Sequence, residues 1–294
     1  MVVTGRHGQV VRALVERAPP DVDIVALGRP ELNLASEADL IVRAIENASP
    51  DVVVSAAAYT QVDKAEAEPA LAFAVNERGA QAVARAARQG SVPLIHLSTD
   101  YVFDGLKDSP YVEEDATGPT GIYGASKLAG EQMIVGEQED SVILRTAWVY
   151  SPFGSNFVKT MLRLAADRDQ VAVVADQRGN PSGALNIADG VIAIARNLLS
   201  SQDLGLRGIF HMAGSGEATW AELAQAIFAA SAALGGPVAQ VRSITTAEYP
   251  TEAKRPANSC LDCRKVARVH GVRLPDWRPS LDQVVTKLLQ GVSG

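Results

Sequence analysis

The chain has 294 residues, of which 47% are hydrophobic, so it is long enough to bury one large core or a core and a smaller lobe. Its formal net charge is −7 and no basic block stands out, which argues against a nucleic-acid-binding or anionic-membrane surface. The chain has no apolar run of about 20 residues and no signal-peptide pattern, so we expect a cytoplasmic protein that does not bind membranes.

Short apolar strands alternate with Ala-rich helices through the first half of the chain. The predicted strands are Met1–Val3, Asp23–Leu27, Val52–Ala56, Leu94–Leu97 and Val142–Leu144. The predicted helices are Val10–Arg17, Ser36–Asn47 with Ser36 as its N-cap, Val62–Gln89 and Gly121–Val135. This alternation is typical of an α/β protein with a Rossmann-like, doubly wound parallel sheet covered on both faces.

The pattern becomes looser after about Tyr150. The elements predicted there are helices at Asn156–Ala166, Asn186–Leu199 and Thr219–Leu234, and strands at Val171–Val174 and Gly208–Met212. The C-terminal segment carries mostly proline-containing loop signals. We therefore expect a nucleotide-binding domain of residues 1–147 and about 183–214, with a smaller, mixed α/β C-terminal lobe of about 148–182 and 215–294.

Two glycines, Gly5 and Gly8, follow the first strand and open the first helix. Such a loop lets the backbone approach a dinucleotide pyrophosphate at a helix N-terminus. The signal is weak alone, because Val11 stands where a third glycine would be expected and a two-glycine turn is a common structural feature.

The second strand ends in Arg29 and carries no carboxylate for the ribose 2′-hydroxyl of NAD. Arg29, with Arg6, could instead pair with a 2′-phosphate, which favours NADPH and leaves NADH possible. The alternative is that Arg29 is an ordinary solvated side chain.

Tyr123 and Lys127 share one face of a predicted helix, because they are four residues apart. A cation beside the phenol would lower the tyrosine pKa, and the hydroxyl of Thr99 could hold a substrate oxygen against it. This pattern predicts proton transfer. The pair taken alone could equally be a packed aromatic residue beside a lysine whose stem covers apolar surface.

Several further segments extend this pattern along the chain in order. They are Gly5–Val10, Ala56–Glu66, Ser98–Phe103, Tyr123–Glu131, Arg145–Tyr150, Asn156–Arg163, Asp176–Pro181 and Arg255–Ser259. Together they resemble the extended short-chain dehydrogenase/reductases over nearly the whole chain. Within these, the match is to enzymes that reduce the C4 keto group of dTDP-4-dehydro-L-rhamnose, the last step of dTDP-L-rhamnose biosynthesis.

The resemblance implies roles for individual residues. Tyr123 would protonate the sugar C4 oxygen, Lys127 would hold the nicotinamide ribose, and Thr99 would bond the same sugar oxygen. The implied cofactor contacts also include Gly5, Gly8, Gln9, Val10, Asn33, Leu34, Ala56, Ala57 and Ala58. The implied substrate contacts also include Asp100, Tyr101 and Trp148, although Trp148 could simply be core. Arg255 could bind the nucleotide phosphates or lie on a loop surface.

The chain also departs from the family pattern. Ser55 stands where asparagine is usual, and Arg12 and Leu185 replace carboxylates that join some members into magnesium-linked dimers. We therefore expect no bound metal, and a monomer or a weak homodimer. Two alternatives remain open: a reductase of another dTDP-4-keto-6-deoxyhexose, and a non-catalytic subunit resembling the regulatory subunit of methionine adenosyltransferase.

Other reactive residues receive structural interpretations. Cys260 and Cys263 are expected to be reduced thiols. Residues 63–66 are expected to be a solvated helix start with local charge pairing. The four histidines belong to no evident catalytic or metal-binding pattern.

Overall fold

The computed structural model of the protein describes residues 1–291. The strands are β1 (Val2–Thr4), β2 (Val25–Leu27), β3 (Val53–Ser55), β4 (Leu94–Thr99), β5 (Ser141–Thr146), β6 (Val149–Tyr150), β7 (Gln170–Val174), β8 (Arg178–Gly179), β9 (Ser182–Gly183), β10 (Gly208–His211), β11 (Ala218–Thr219) and β12 (Gln240–Ile244). The α-helices are α1 (Gln9–Arg17), α2 (Ala38–Glu46), α3 (Val62–Ala67), α4 (Pro69–Phe73), α5 (Ala80–Gln89), α6 (Ile122–Glu137), α7 (Phe157–Asp167), α8 (Ala184–Ser200), α9 (Trp220–Ala233), α10 (Arg264–His270) and α11 (Trp277–Gln290). None of the helices in this part of the chain is long and apolar enough to cross a membrane.

Six strands form one central parallel sheet in the order β10-β5-β4-β3-β1-β2. Its central strands β3, β4 and β5 are buried along their whole length, as the apolar residues in each of them predict. The α/β doubly wound fold is therefore confirmed. The chain starts inside the sheet at β1, adds β2 on one side and then crosses to β3. That reversal creates a crevice at the carboxyl ends of β1 and β3, where such sheets bind ligands.

The single helix predicted for Val62–Gln89 is wrong in one respect, because the structure interrupts it. Pro69 starts α4 after a break at Glu68, and a π-helical segment at Ala74–Gly79 separates α4 from α5. A proline lacks the amide hydrogen needed inside a helix but is tolerated in its first turn. The N-cap of α2 is Glu37 rather than the predicted Ser36, and neither side chain caps the helix.

Late elements return to the central sheet, as expected. Strand β10 pairs with β5, and α8 packs on α1. A second core forms where α9, α11 and the parallel pair β7–β12 meet. The sequence did not predict β12, α10 or α11. The proline-containing loop signals of the C-terminal segment predict no helix there, whereas Pro279 lies in the first turn of α11 and the Asp276 side chain caps the helix.

Candidate active site

Unpaired polar atoms gather at the carboxyl ends of the central strands. The side-chain oxygens Ser55 Oγ, Asp100 Oδ2 and Thr146 Oγ1 are buried and have no hydrogen-bond partner among residues 1–291. Buried polar groups are normally satisfied, so three such atoms at the ends of β3, β4 and β5 indicate a ligand site.

The glycine loop lies at the sheet crevice. Gly5 has φ +99°, and a side chain there would lie 3.3 Å from Val11 and 3.4 Å from Ala57. Val11 is 2% exposed and packs into the core beside the loop, so it fills the space beneath the two glycines. Thr4 Oγ1 accepts hydrogen bonds from the amides of Ala56 and Ala57, both at 3.0 Å. The small glycine and alanine residues on both sides of the crevice thus leave room for a ligand to approach the backbone, which fits a dinucleotide cofactor.

The end of β2 carries more charge than the sequence indicated. Arg29 is exposed and makes no ion pair within the described part of the chain. Arg6 pairs instead with Glu31 at 2.8 Å, and a side chain at Gly28 would lie 2.9 Å from Arg6 Cγ. The sequence prediction overlooked Glu31. Arg29 therefore has no ion-pair partner among residues 1–291, whereas Arg6 is already paired with Glu31.

Two predicted cofactor contacts behave differently from each other. Asn33 is exposed, and its side chain accepts a hydrogen bond from the Ala35 amide at 3.2 Å. Leu34 is buried. Its carbonyl oxygen lies so close to Gly79 that a side chain at position 79 would overlap that oxygen. Leu34 therefore belongs mainly to the core, whereas Asn33 faces solvent.

Tyr123 and Thr99 converge at the carboxyl end of β4. Burial raises the pKa of Tyr123 to about 12, although the nearby Thr99 hydroxyl counteracts part of that rise. Thr99 Oγ1 donates to Asp100 Oδ1 at 2.9 Å and accepts from the Tyr101 amide at 3.2 Å. The Tyr101 ring meets Tyr123 edge-on, with 5.6 Å between ring centroids. Tyr123 is consequently a protonated phenol at neutral pH, which suits a proton donor.

The expected effect of Lys127 on Tyr123 is wrong for this structure. Lys127 Nζ donates to the Leu97 carbonyl at 2.7 Å and lies 3.1 Å from His96 Nε2. Burial lowers the pKa of Lys127 to about 8, while the charge of Glu131 opposes that fall. The spacing placed both groups on one helix face correctly, but burial dominates both pKa values.

Helix α6, which carries this pair, is anchored by residues that the sequence did not single out. Glu66 accepts a hydrogen bond from the Ile122 amide at 2.8 Å, at the positive end of α6. Further along, Glu131 forms a buried ion pair with Arg145 at 2.7 Å and accepts a hydrogen bond from Ser98. These contacts fix α6 against β4 and β5, and so set the position of Tyr123 relative to Thr99.

Comparisons with known proteins agree with this geometry. A family model described as RmlD substrate binding domain matches residues 1–290. A dTDP-4-dehydrorhamnose reductase from Sinorhizobium fredii strain NGR234 is 53% identical over 289 residues, which cover 98% of this chain and 97% of that protein.

The chain belongs to the dTDP-4-dehydrorhamnose reductase family. The family predicted from the sequence is thereby confirmed. Two solved structures bearing that name, each 32% identical, agree. The structure from Clostridium acetobutylicum has a TM-score of 0.90 and covers 98% of this chain and 99% of that one. The structure from Bacillus anthracis, in complex with NADP, has a TM-score of 0.89 and covers 97% and 98% respectively.

Asp100 and Trp148, two substrate contacts expected in a dTDP-4-dehydrorhamnose reductase, lie beside Thr99 and Ser259. Burial raises the pKa of Asp100 to about 6, although the nearby Ser259 and Thr99 hydroxyls oppose the rise. Trp148 has φ +46°, stacks on Trp220 with 3.5 Å between centroids, and donates to Ser259 Oγ at 3.1 Å. One face of the Trp148 indole is therefore already covered.

Arg255 is held by a carboxylate. It forms a two-pronged pair with Asp63, at 2.7 and 3.1 Å, and the Asp63 side chain also accepts from the Ala253 amide. The expectation of purely local pairing over residues 63–66 is therefore wrong, although Lys64 does pair locally with Glu68. Asp63 joins α3 to a segment 192 positions away along the chain.

Arg12 and Leu185, which are expected from the sequence not to bind a metal, offer no side-chain oxygen ligand. The Arg12 guanidinium lies 4.5 Å from the Phe153 ring centroid, and Leu185 is buried. Within residues 1–291, no group of three or more His, Cys, Asp or Glu side chains could hold a metal. Cys260 and Cys263 are free thiols, and burial raises the pKa of each to about 12.

Proposed function

We propose that the protein catalyses NADPH-dependent reduction of dTDP-4-dehydro-L-rhamnose to dTDP-L-rhamnose. The observation that carries this proposal is the convergence of Thr99 and Tyr123 at the end of β4, within a chain that matches reductases of this name along its whole length. The family match supports the predicted NADPH-dependent reductase over a non-catalytic subunit.

Tyr123 delivers the proton in this mechanism. When bound, NADPH supplies the hydride that reduces C4. The high pKa of Tyr123 keeps its phenol protonated until the C4 oxygen gains charge, and the Thr99 hydroxyl orients that oxygen. The Lys127 ammonium would hold the ribose of the nicotinamide, and its charge is present below a pKa of about 8.

The proposed cofactor contacts lie along the crevice wall. Gly5, Gly8, Gln9 and Val10 would hold the pyrophosphate, Ala56–Ala58 would lie beneath the cofactor, and Arg29 would bind the 2′-phosphate. Asn33 would contact the adenine side from solvent. Asp100, Tyr101 and Trp148 would bind the sugar. Arg255 would bind the nucleotide phosphates after it releases Asp63.

Residues 1–147 and about 183–214 form the nucleotide-binding domain in this proposal, and about 148–182 and 215–294 form the substrate lobe, of which residues 292–294 lie outside the described part of the chain. Val266 and Val272 nevertheless pack into the core beneath the sheet. The free thiols favour a reducing, cytoplasmic location. We assign a monomer or weak homodimer, because Arg12 and Leu185 cannot form a metal-linked one.

The test is product analysis. The purified protein is incubated with NADPH and dTDP-4-dehydro-L-rhamnose, and the product is examined by NMR. The proposal requires dTDP-L-rhamnose. The C4 epimer would identify a reductase for another sugar, and no NADPH oxidation would favour a non-catalytic subunit.

A further inference from the structure

The side chain of Gln9 forms its hydrogen bonds outside the glycine loop. Gln9 Nε2 donates to the Val149 carbonyl at 3.2 Å. Gln9 Oε1 accepts from Ser151 Oγ at 2.8 Å and from Asn156 Nδ2 at 3.0 Å. We call these four residues the Gln9 network. Its three other members lie about 140 positions further along the chain.

The partners of Gln9 form the connection from the sheet to the second core. This connection starts after Trp148, whose φ is +46°, and ends at Asn156, which caps α7 by accepting from the Lys159 amide at 3.2 Å. Gln9 is therefore hydrogen-bonded to the segment that runs from Trp148 to the first residue of α7.

The backbone of Gln9 belongs to the glycine loop. Gln9 is the first residue of α1, and Gly8 at the N-cap supplies no side chain to bond the free amides. Those amides are the groups that a pyrophosphate would engage. One residue thus places its main chain at the proposed cofactor site and its side chain on the substrate segment.

Packing supports the same contact. Arg12 lies over the Phe153 ring, and a side chain at Gly154 would lie 3.5 Å from Gln9 Cγ. Ser151 is fully buried. A shift of the glycine loop would therefore be transmitted to the connection, because it would break the three hydrogen bonds that Gln9 makes to it.

We propose that the Gln9 side chain is a positioning residue that couples cofactor binding to sugar-nucleotide binding. This inference rests on the proposed function. By linkage, NADP⁺ should tighten the binding of dTDP by the same factor as dTDP tightens the binding of NADP⁺.

The test uses calorimetric titration of dTDP with and without saturating NADP⁺. The wild type should bind dTDP roughly ten-fold more tightly with NADP⁺ present, within the usual range of such couplings. Gln9→Met keeps the side-chain length but removes all three hydrogen bonds. It should bring the ratio to within about two-fold of unity. A ratio near the wild-type value in Gln9→Met, or a wild-type ratio of one, would overturn the proposal.

Two control variants separate coupling from damage. Ser151→Ala removes one network bond without touching the glycine loop, so it should lower the ratio while NADP⁺ alone binds as in the wild type. Asn197→Ala removes a remote amide that donates to the His270 carbonyl at 3.0 Å, and should leave the ratio unchanged. A lowered ratio in Asn197→Ala, or an unchanged one in Ser151→Ala, would contradict a specific Gln9 link. Failure of the wild type to bind either ligand would instead reject the proposed function.

Discussion

Gly124 lies directly against the backbone carbonyl of Tyr101, with no space for a side chain between them. Gly124 follows Tyr123 on α6, and Tyr101 follows Thr99 and Asp100 after β4. This close approach brings the proton donor to the hydroxyl that orients the substrate oxygen. The glycine of Tyr-Gly-Ala-Ser-Lys therefore has a positional role beside the two reactive residues.

Replacing Gly124 should separate Tyr123 from Thr99. In Gly124→Ala, the added methyl group would overlap the Tyr101 carbonyl, so we expect about 1–3 kcal/mol of destabilisation and a lower kcat. Urea unfolding and steady-state kinetics measure the two effects. The matched control is Gly136→Ala on the same helix, where nothing lies within 4 Å. That variant should gain up to about 1 kcal/mol and keep its kcat. Equal behaviour of the two variants would contradict this role.

The Lys127 ammonium should set the alkaline limit of activity. Because its pKa is lowered to about 8, the charge is present below that pH and is lost as pH rises through it. The profile of kcat/KM, which reports the free enzyme, should therefore fall about ten-fold per pH unit above 8. Tyr123, with a pKa of about 12, would affect only much higher pH. Lys127→Arg keeps its charge and should lose the decline, even at reduced activity. A wild-type profile that stays flat to pH 10 would exclude this assignment.

Arg29 should determine the preference for NADPH. Arg29→Ala removes the guanidinium proposed to bind the 2′-phosphate, so we expect the KM for NADPH to rise roughly ten- to hundred-fold, the effect of losing a hydrogen bond to a charged group. The KM for NADH, measured with the same variant, should stay within about two-fold because NADH lacks the 2′-phosphate. Glu31→Gln should change the KM for NADPH in the opposite direction, since it removes the carboxylate paired with Arg6 at the same end of β2. Parallel changes for both cofactors in Arg29→Ala would show that Arg29 does not read the phosphate.

The sequence predicts the central sheet well because β3, β4 and β5 are apolar runs buried on both faces. It predicts the second lobe less well. The first turn of α11 contains a proline that also fits a loop. The Asp63–Arg255 pair joins positions too far apart for any local pattern.

The pattern around the candidate site identifies the reactive groups but not their pKa values. Spacing places Tyr123 and Lys127 on one face, and it predicts that the cation lowers the phenol pKa. In the fold, burial favours the neutral form of both groups: it raises the pKa of Tyr123 and lowers the pKa of Lys127. The burial of these two groups depends on β4 and on the loops around it, and the spacing of two residues cannot predict that packing.

The most direct test of the central claim is the kcat for NADPH-dependent reduction of dTDP-4-dehydro-L-rhamnose by Tyr123→Phe and by its matched control Tyr101→Phe. Removing the proton donor should lower kcat by about 10²- to 10⁴-fold, because general acid catalysis contributes that much. Tyr101→Phe keeps the edge-on ring contact and should lower kcat by less than about ten-fold. A Tyr123→Phe variant that turns over at the wild-type rate would contradict the assignment of Tyr123 as the proton donor.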